Sequence, residues 1–542
     1  MQTTMMPMPL STQMILRHGT RLHAASRVST FDGEAFATRT FAEIAERAQA
    51  LAAALAALGV CRNDRVATFC WNHAAHLEAY LAVPAMGAVL HTLNVRLYPQ
   101  QIAQIARHAA DRVLIVDGSL WDGIAPALRD VTSFQHVIVI GAGTHARAPG
   151  VAVHDYETLL AAEPGRAFAW PDLDENSAAA ACYTSGTTGD PKGIVYSHRS
   201  IFLHTLATLG VDAFAVSQHD RILLLPSMFH ANAWGLPYSA WFAGADLILP
   251  GPHLKSDAIR QMIREVRPTF TALVPTLIND LLEADRRDPV DMSSFRVLVS
   301  GGSAVSPALI RTVRERWGIP VLQGWGMTET SPMCCLSVPP RDVTVEDAPL
   351  WRARSGRPVP GMEVRLVDDE GGPVANDGAH VGNLQLRGPW VTGRYHRDDS
   401  ADSFTADGWL RTGDVGTIDA RGYVQVTDRS KDVIKSGGEW VSSVDLENQL
   451  AAHPAVLEAA VIGVPDPRWE ERPLALVVVR EDETVTPQEL QSFLRERVAR
   501  FWVPEYWAFA TTLPKTSVGK IDKKELRRLH AAGSFDVRTI TR

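Results

Sequence analysis

Residues 183–193 read Tyr-Thr-Ser-Gly-Thr-Thr-Gly-Asp-Pro-Lys-Gly. Gly186, Gly189 and Gly193 let backbone N–H groups approach an anion closely. Successive N–H groups in a turn make an anion-binding concavity. Thr184, Ser185, Thr187 and Thr188 add hydroxyl donors, and Lys192 adds a positive charge. These residue types in this order suit a polyphosphate. Ala178–Cys182 before the run and Ile194–Tyr196 after it are small, apolar or β-branched. The expectation is a strand–loop–strand hairpin. A kinase-type P-loop is excluded, because G-x-x-x-x-G-K-S/T leads into a helix, whereas here Gly193 follows Lys192.

Bulk properties fit a multidomain globular chain. With 542 residues, two or more domains are expected. Hydrophobic residues make up 46% and charged residues 21%, the usual globular balance. A net charge of −8 argues against nucleic acid as the main partner and leaves small anions open. The five cysteines are odd in number and include no C-x-x-C pair, so no disulfide framework or zinc site is indicated, and buried thiols in a reducing cytoplasm are expected. Met1–Arg17 lacks the pattern of a secretory signal, and no apolar run reaches spanning length. Peripheral membrane contact stays open.

Strand candidates at 222–225, 269–274 and 297–299 alternate with helical patterns such as Phe41–Leu58. Ser306-Pro307 opens another helix that Gly318 closes. Alternation of this kind implies α/β layers with largely parallel sheets, whose ligands bind beyond the strand ends. From about residue 419 the texture changes. Asp428-Arg-Ser-Lys-Asp432 reads as a linker, strands are expected at 458–464 and 474–479, and Thr486-Pro-Gln-Glu489 starts a helix reaching about Arg500. The predicted fold is a large multi-layer α/β domain, 1–428, followed by a small mobile α+β domain, 429–542.

Seven further segments carry chemistry. They are Met228-Phe-His-Ala-Asn-Ala-Trp-Gly235, Gly301-Gly-Ser-Ala304, Gln323-Gly-Trp-Gly-Met-Thr-Glu329 and Trp409-Leu-Arg-Thr-Gly-Asp414. After these come Asp428-Arg-Ser-Lys-Asp-Val-Ile-Lys435, Ser436-Gly-Gly-Glu-Trp-Val-Ser-Ser443 and Pro514-Lys-Thr-Ser-Val-Gly-Lys520. In order and content, these segments and the 183–193 loop resemble the signatures of the adenylate-forming superfamily. The likeness is greatest to acyl-CoA synthetases of the medium- and long-chain fatty acid type.

That resemblance implies ATP, CoA and a carboxylic acid as substrates, with Mg²⁺ as cofactor. It implies a nucleotide site of Ser185, Gly186, Thr187, Thr188, Gly189, Lys192, Gly302, Gln323, Gly324, Trp325, Thr328, Asp414, Arg429 and Lys435. Trp325 stands where the family usually has tyrosine; it keeps a flat ring for adenine and lacks the phenol. Thr184 and Glu329 would hold the metal, and a single carboxylate beside phosphate oxygens suits Mg²⁺. Asp414 would accept from the ribose diol, since an ionised carboxylate only accepts. His230, Trp234, Gly302, Ala304 and Met327 would line the acyl pocket, with Met333 a further candidate and Trp234 in the position of a gate. No lysine or arginine is assigned to that pocket, so an apolar monocarboxylic acid is expected. Lys431 would be the hinge. Gly437, Gly438 and Trp440 would line the CoA channel. Lys520 would be the catalytic lysine, by its place after Gly519, with Lys515 and Lys523 as charged neighbours, and His230 would be a second catalytic residue.

The implied reaction is a fatty acid–CoA ligation through acyl-AMP, in the cytoplasm, by a protein whose similar ligases are commonly homodimers. CoA ligation of an aromatic or short-chain acid, loading of a carrier-protein thiol, and luciferase-like oxygenation share the same adenylating motifs.

Overall fold

The computed structural model describes residues 1–141, 151–162, 168–184, 191–398, 401–436, 439–516 and 519–540. Two large sheets form the core of the larger domain. The first runs in the order 152–155, 136–140, 113–117, 65–69, 89–92, 178–183, 193–197, with every pairing parallel except the last. The second has nine strands and is parallel from 27–31 through 246–249, 221–223, 270–273 and 297–301 to 321–326. Antiparallel strands 36–40, 333–336 and 357–358 complete its edges. A single apolar cluster joins the two sheets, including Val66, Leu90 and Ala180 from one and Leu247, Phe270 and Val299 from the other.

Helix starts follow local chemistry. Thr40 and Glu43 cap Phe41–Ala57 reciprocally, and Leu58-Gly59 ends it with Gly59 at φ +81°. Ser306 accepts from the Leu309 N–H at 3.1 Å, Pro307 takes the first turn, and Gly318 closes the helix in the left-handed region. Thr486 and Glu489 cap Pro487–Arg495, which stops short of the expected Arg500; a 3₁₀ turn occupies Arg500–Trp502. The five cysteines are all free. Cys70, His73 and Asp117 cluster, but His73 Nε2 bonds Asp117 and its Nδ1 accepts from His76 N–H at 3.1 Å, so the group closes the start of helix Ala74–Ala85.

One element is absent from the sequence reading. Residues Glu363–Val367, Gly382–Arg387, Leu410–Ile418 and Val424–Arg429 form a four-stranded antiparallel sheet. It runs through Asp428-Arg429, so the charged stretch expected to be a linker begins as a strand. Asp428 is only 3% exposed, because Ser443 donates to its Oδ2 from both N–H and hydroxyl. The next strand, Ile434–Ser436, already belongs to the smaller domain. There a sheet built on 456–466, 470–479 and 506–509 packs helices Ser443–Ala451 and Pro487–Arg495 through Leu446, Leu450, Leu490 and Trp507. No helix among the described residues is long and apolar enough to cross a membrane.

Candidate active site

Strands 178–183 and 193–197 pair antiparallel with Tyr183 opposite Gly193, as the hairpin reading expects. The Thr184 N–H donates to the Lys192 carbonyl at 2.9 Å, and the Lys192 N–H to Thr184 Oγ1 at 3.1 Å. These bonds pinch the loop at its base. Ser185, Gly186, Thr187, Thr188 and Gly189 lie outside the described residues. Lys192 Nζ lies 3.4 Å from Asp398 and 4.5 Å above the Tyr395 ring.

The end of strand 297–301 supplies the next wall. Gly302 has φ +86°, and a Cβ there would lie 3.0 Å from Lys520 Cε. A Cβ on Gly301 would meet the Trp234 indole at 3.0 Å. The glycines thus permit close approach, of the lysine at Gly302 and of the indole at Gly301, and the positive φ at Gly302 also favours glycine. Gln323 Oε1 accepts from the Val305 N–H at 2.6 Å, so Gln323 shapes this turn from the neighbouring strand. Ala304 is half-buried and Met333 buried.

Trp234 reaches Gly301 through an unusual backbone. Ala231, Asn232, Ala233, Trp234 and Gly235 have φ of 36°, 43°, 54°, 59° and 75°. A left-handed turn costs roughly 1–2 kcal/mol for each L-residue, so it needs support. Thr92 Oγ1 donates to Asn232 Oδ1 at 3.1 Å, and a Cβ on Gly235 would strike the His204 ring at 2.6 Å. The turn leaves His230 at its start. Burial, reinforced by Lys520 and Arg96, pulls the His230 imidazole down to about 4, so it is neutral near pH 7. Arg96 adds a cation that the sequence did not single out: it follows strand 89–92, which pairs with 178–183, and its charge is felt at His230.

Trp325, Asp414 and Arg429 converge. Trp325 Nε1–H donates to Asp414 Oδ2 at 3.0 Å, and Arg429 Nε lies 2.8 Å from Oδ1. Burial raises the Asp414 carboxyl, while Arg429, Trp325 and Lys520 oppose that shift. Lys520 is coupled to the same pair: burial lowers its ammonium to about 8, Arg429 pushes the same way and Asp414 opposes. The neighbours that compete with it by sequence are committed elsewhere. Lys515 pairs with Glu458 at 2.7 Å, and Lys523 with Glu447 at 2.9 Å and Ser443 at 2.5 Å.

Thr328 and Glu329 follow strand 321–326. The Thr328 carbonyl accepts from Tyr196 Oη at 2.7 Å, and Glu329 Oε1 accepts from Tyr395 Oη at 2.8 Å. Tyr196 and Tyr395 were not anticipated; single tyrosines away from the motifs give no pattern to read. Met327 and Gly324 lie along this strand end, both half-buried. Lys431 follows Ser430, whose N–H donates to the Gly413 carbonyl at 3.0 Å. Lys435 pairs through its backbone with Trp440. Gly437, Gly438 and the Lys435 and Trp440 side chains lie outside the described residues.

Two halves of the chain thus meet around one cleft, with a phosphate-type hairpin, a ring beside a buried carboxylate, and a lysine from the smaller domain. Residues 20–396 match the model of the AMP-binding enzyme family, and residues 445–520 match that of the AMP-binding enzyme C-terminal domain.

The chain belongs to the AMP-binding enzyme family.

The chain is similar along nearly its whole length to known CoA ligases. It is 44% identical to a long-chain-fatty-acid–CoA ligase of Thermus thermophilus, over 94% of this chain and 92% of that one. It is 39% identical to a 3-methylmercaptopropionyl-CoA ligase of Ruegeria lacuscaerulensis, over 96% and 98%. Among solved structures, the anthranilate CoA ligase AuaEII in complex with anthranoyl-AMP superposes with a TM-score of 0.88 at 28% identity, covering 98% of this chain and all of that one. The ligase is an AMP-forming acid–thiol ligase that uses ATP and CoA.

Proposed function

We propose that the ligase activates a medium- to long-chain fatty acid as acyl-AMP and transfers the acyl group to CoA. The observation that carries this reading is the Trp234 indole closing over Gly301, beside neutral His230 and near Lys520. The cations felt at His230, Lys520 and Arg96, suit a reacting carboxylate and phosphates at the inner end. The remaining candidate walls, Gly302, Ala304, Met327 and Met333, offer an acyl chain apolar or small surface.

In the first half-reaction two anions must meet, so positioning and charge carry most of the work. Lys520 would bridge the carboxylate and the α-phosphate, Asp414 the ribose, and the Trp325 face the adenine. Thr184 and Glu329 fit Mg²⁺ as a hydroxyl and a carboxylate, since the bond from Tyr395 takes Oε1 and leaves Oε2 for a cation. When bound, that ion would neutralise phosphate charge. In the second half-reaction the smaller domain, divided from the larger near residue 429, would turn about Lys431 so that Gly437, Gly438 and Trp440 admit the CoA thiol.

The charge on Lys520 sets a pH dependence. The ammonium exists below about 8 and is lost as pH rises through that value. ATP–pyrophosphate exchange should therefore show kcat/KM for ATP falling above about pH 8. Lys520→Arg, whose guanidinium does not titrate in this range, should lose that limb. A native profile flat to high pH would remove the assignment.

A 3-methylmercaptopropionate-type short acid is the second reading, because a relative of that name matches at 39% identity. CoA-dependent AMP formation with straight-chain C2–C18 acids, 3-methylmercaptopropionate, benzoate and cinnamate decides between them. The highest kcat/KM is expected between about C8 and C16. A maximum at the short thioether acid or an aromatic acid overturns the chain-length assignment. AMP release indifferent to CoA overturns the thiol acceptor.

A further inference from the structure

Asp414 is 4% exposed, and each of its oxygens already has a donor, Arg429 on Oδ1 and Trp325 on Oδ2. An ionised carboxylate has about four lone-pair sites. Two are filled and two remain, one on each oxygen. A vicinal diol needs that pair of acceptors. The same tryptophan is half-buried and packs against the main core cluster. Its N–H lies in the ring plane and points to Asp414. A flat base on the open face of the ring and a diol at the carboxylate beside its edge are therefore served by one side chain. A phenylalanine provides the face without the donor. A tyrosine carries its hydroxyl at the far tip of the ring.

We propose that the Trp325 N–H is a positioning device for Asp414, fixing the carboxylate so that nucleotides carrying an intact ribose diol are preferred. The inference rests on the adenylating reading of this cleft and adds a specificity determinant to it. Without the N–H, a buried oxygen loses a donor and the carboxylate is anchored by Arg429 alone, on one side. The diol then meets a carboxylate that is no longer held in register, while the adenine face is unchanged.

Calorimetric titration of AMP, 2′-deoxy-AMP and 3′-deoxy-AMP into the full chain tests this without turnover. The native protein is expected to prefer AMP to either deoxy analogue by about 10-fold, the scale of one hydrogen bond to a charged group. Trp325→Phe should weaken AMP by about 5–10-fold and leave the deoxy analogues within about 2-fold, so that the preference collapses. In an Asp414→Asn background the same substitution should leave the remaining preference unchanged. Trp325→Tyr, which keeps more of the ring's bulk, serves the same comparison if the phenylalanine variant does not fold. Equal weakening of all three nucleotides would mean that the ring only stacks, and would overturn the positioning role. A native protein that binds AMP without discrimination overturns it too and leaves the adenylating reading intact. A native protein that binds none of the three overturns both.

Discussion

Lys520→Ala is expected to lower acyl-adenylate formation by roughly 10²–10³-fold, because a donor aimed at charge developing in the transition state is typically worth about 2.7–4 kcal/mol. The argument rests on where the side chain is. Its Cε lies 3.0 Å from the position a Cβ on Gly302 would take, and its charge is felt at both His230 and Asp414. It is buried enough for its ammonium to fall to about 8, a sign of a charge kept out of water in readiness for an anion. Thioester formation from supplied acyl-adenylate should be retained, since that step begins after the lysine has acted. Pyrophosphate exchange and single-turnover thioester formation separate the two. Lys515→Ala is the control: its side chain is 37% exposed and paired with Glu458, a pair that contributes at most about 1 kcal/mol to stability, so adenylation should change by less than about 3-fold. Loss of both half-reactions in Lys520→Ala, or comparable losses in both variants, would remove Lys520 from its role.

The site was legible in the sequence wherever local chemistry dictates local shape. The Tyr183–Gly193 run needs only glycines, hydroxyls and its two flanking apolar segments to be read as a hairpin, and the pairing of Tyr183 with Gly193 agrees. The Ser306-Pro307 and Thr486–Glu489 starts are capping chemistry, complete within four residues. What escaped depends on partners far away in the chain. Asp428 reads as a solvated charge until Ser443 is folded against it. The strand pairing that brings Arg429 opposite Asp414 belongs to a sheet whose short, mixed-polarity strands show little periodicity. Ala231 and Ala233 carry no sign that they will adopt positive φ, since alanine ordinarily avoids it; the surrounding packing imposes the turn. Arg96 was missed for the same reason, because its approach to His230 follows from strand 89–92 lying beside 178–183.

Those long-range contacts also bear on the second large effect, expected at the hinge. In this structure the smaller domain is held with Lys520 in the cleft, and Arg480 meets Glu283 of the larger domain at 2.9 Å. In the proposed reaction the CoA thiol would need the space beside Gly302 that Lys520 now fills, so the domain would turn between half-reactions. Such a turn has few residues to work with. The Asp414–Arg429 pairing and the bond from Ser430 N–H to Gly413 fix the chain up to residue 430, and strand Ile434–Ser436 belongs to the moving side. Backbone change would thereby be confined to residues 431–433, where the Asp432 and Val433 N–H groups bond back to the Arg429 carbonyl, and Lys431 is the proposed pivot. Proline locks φ near −65° and restricts the residue before it. Lys431→Pro should therefore leave acyl-adenylate formation within a few-fold of native and lower thioester formation by about 10²-fold, the cost of reacting groups held out of place. Single-turnover measurement of acyl-AMP appearance and of its CoA-dependent decay reads the two steps in one experiment. Retained adenylation doubles as proof of folding. An equal fall in both steps, or a thioester step at native speed, would place the pivot elsewhere.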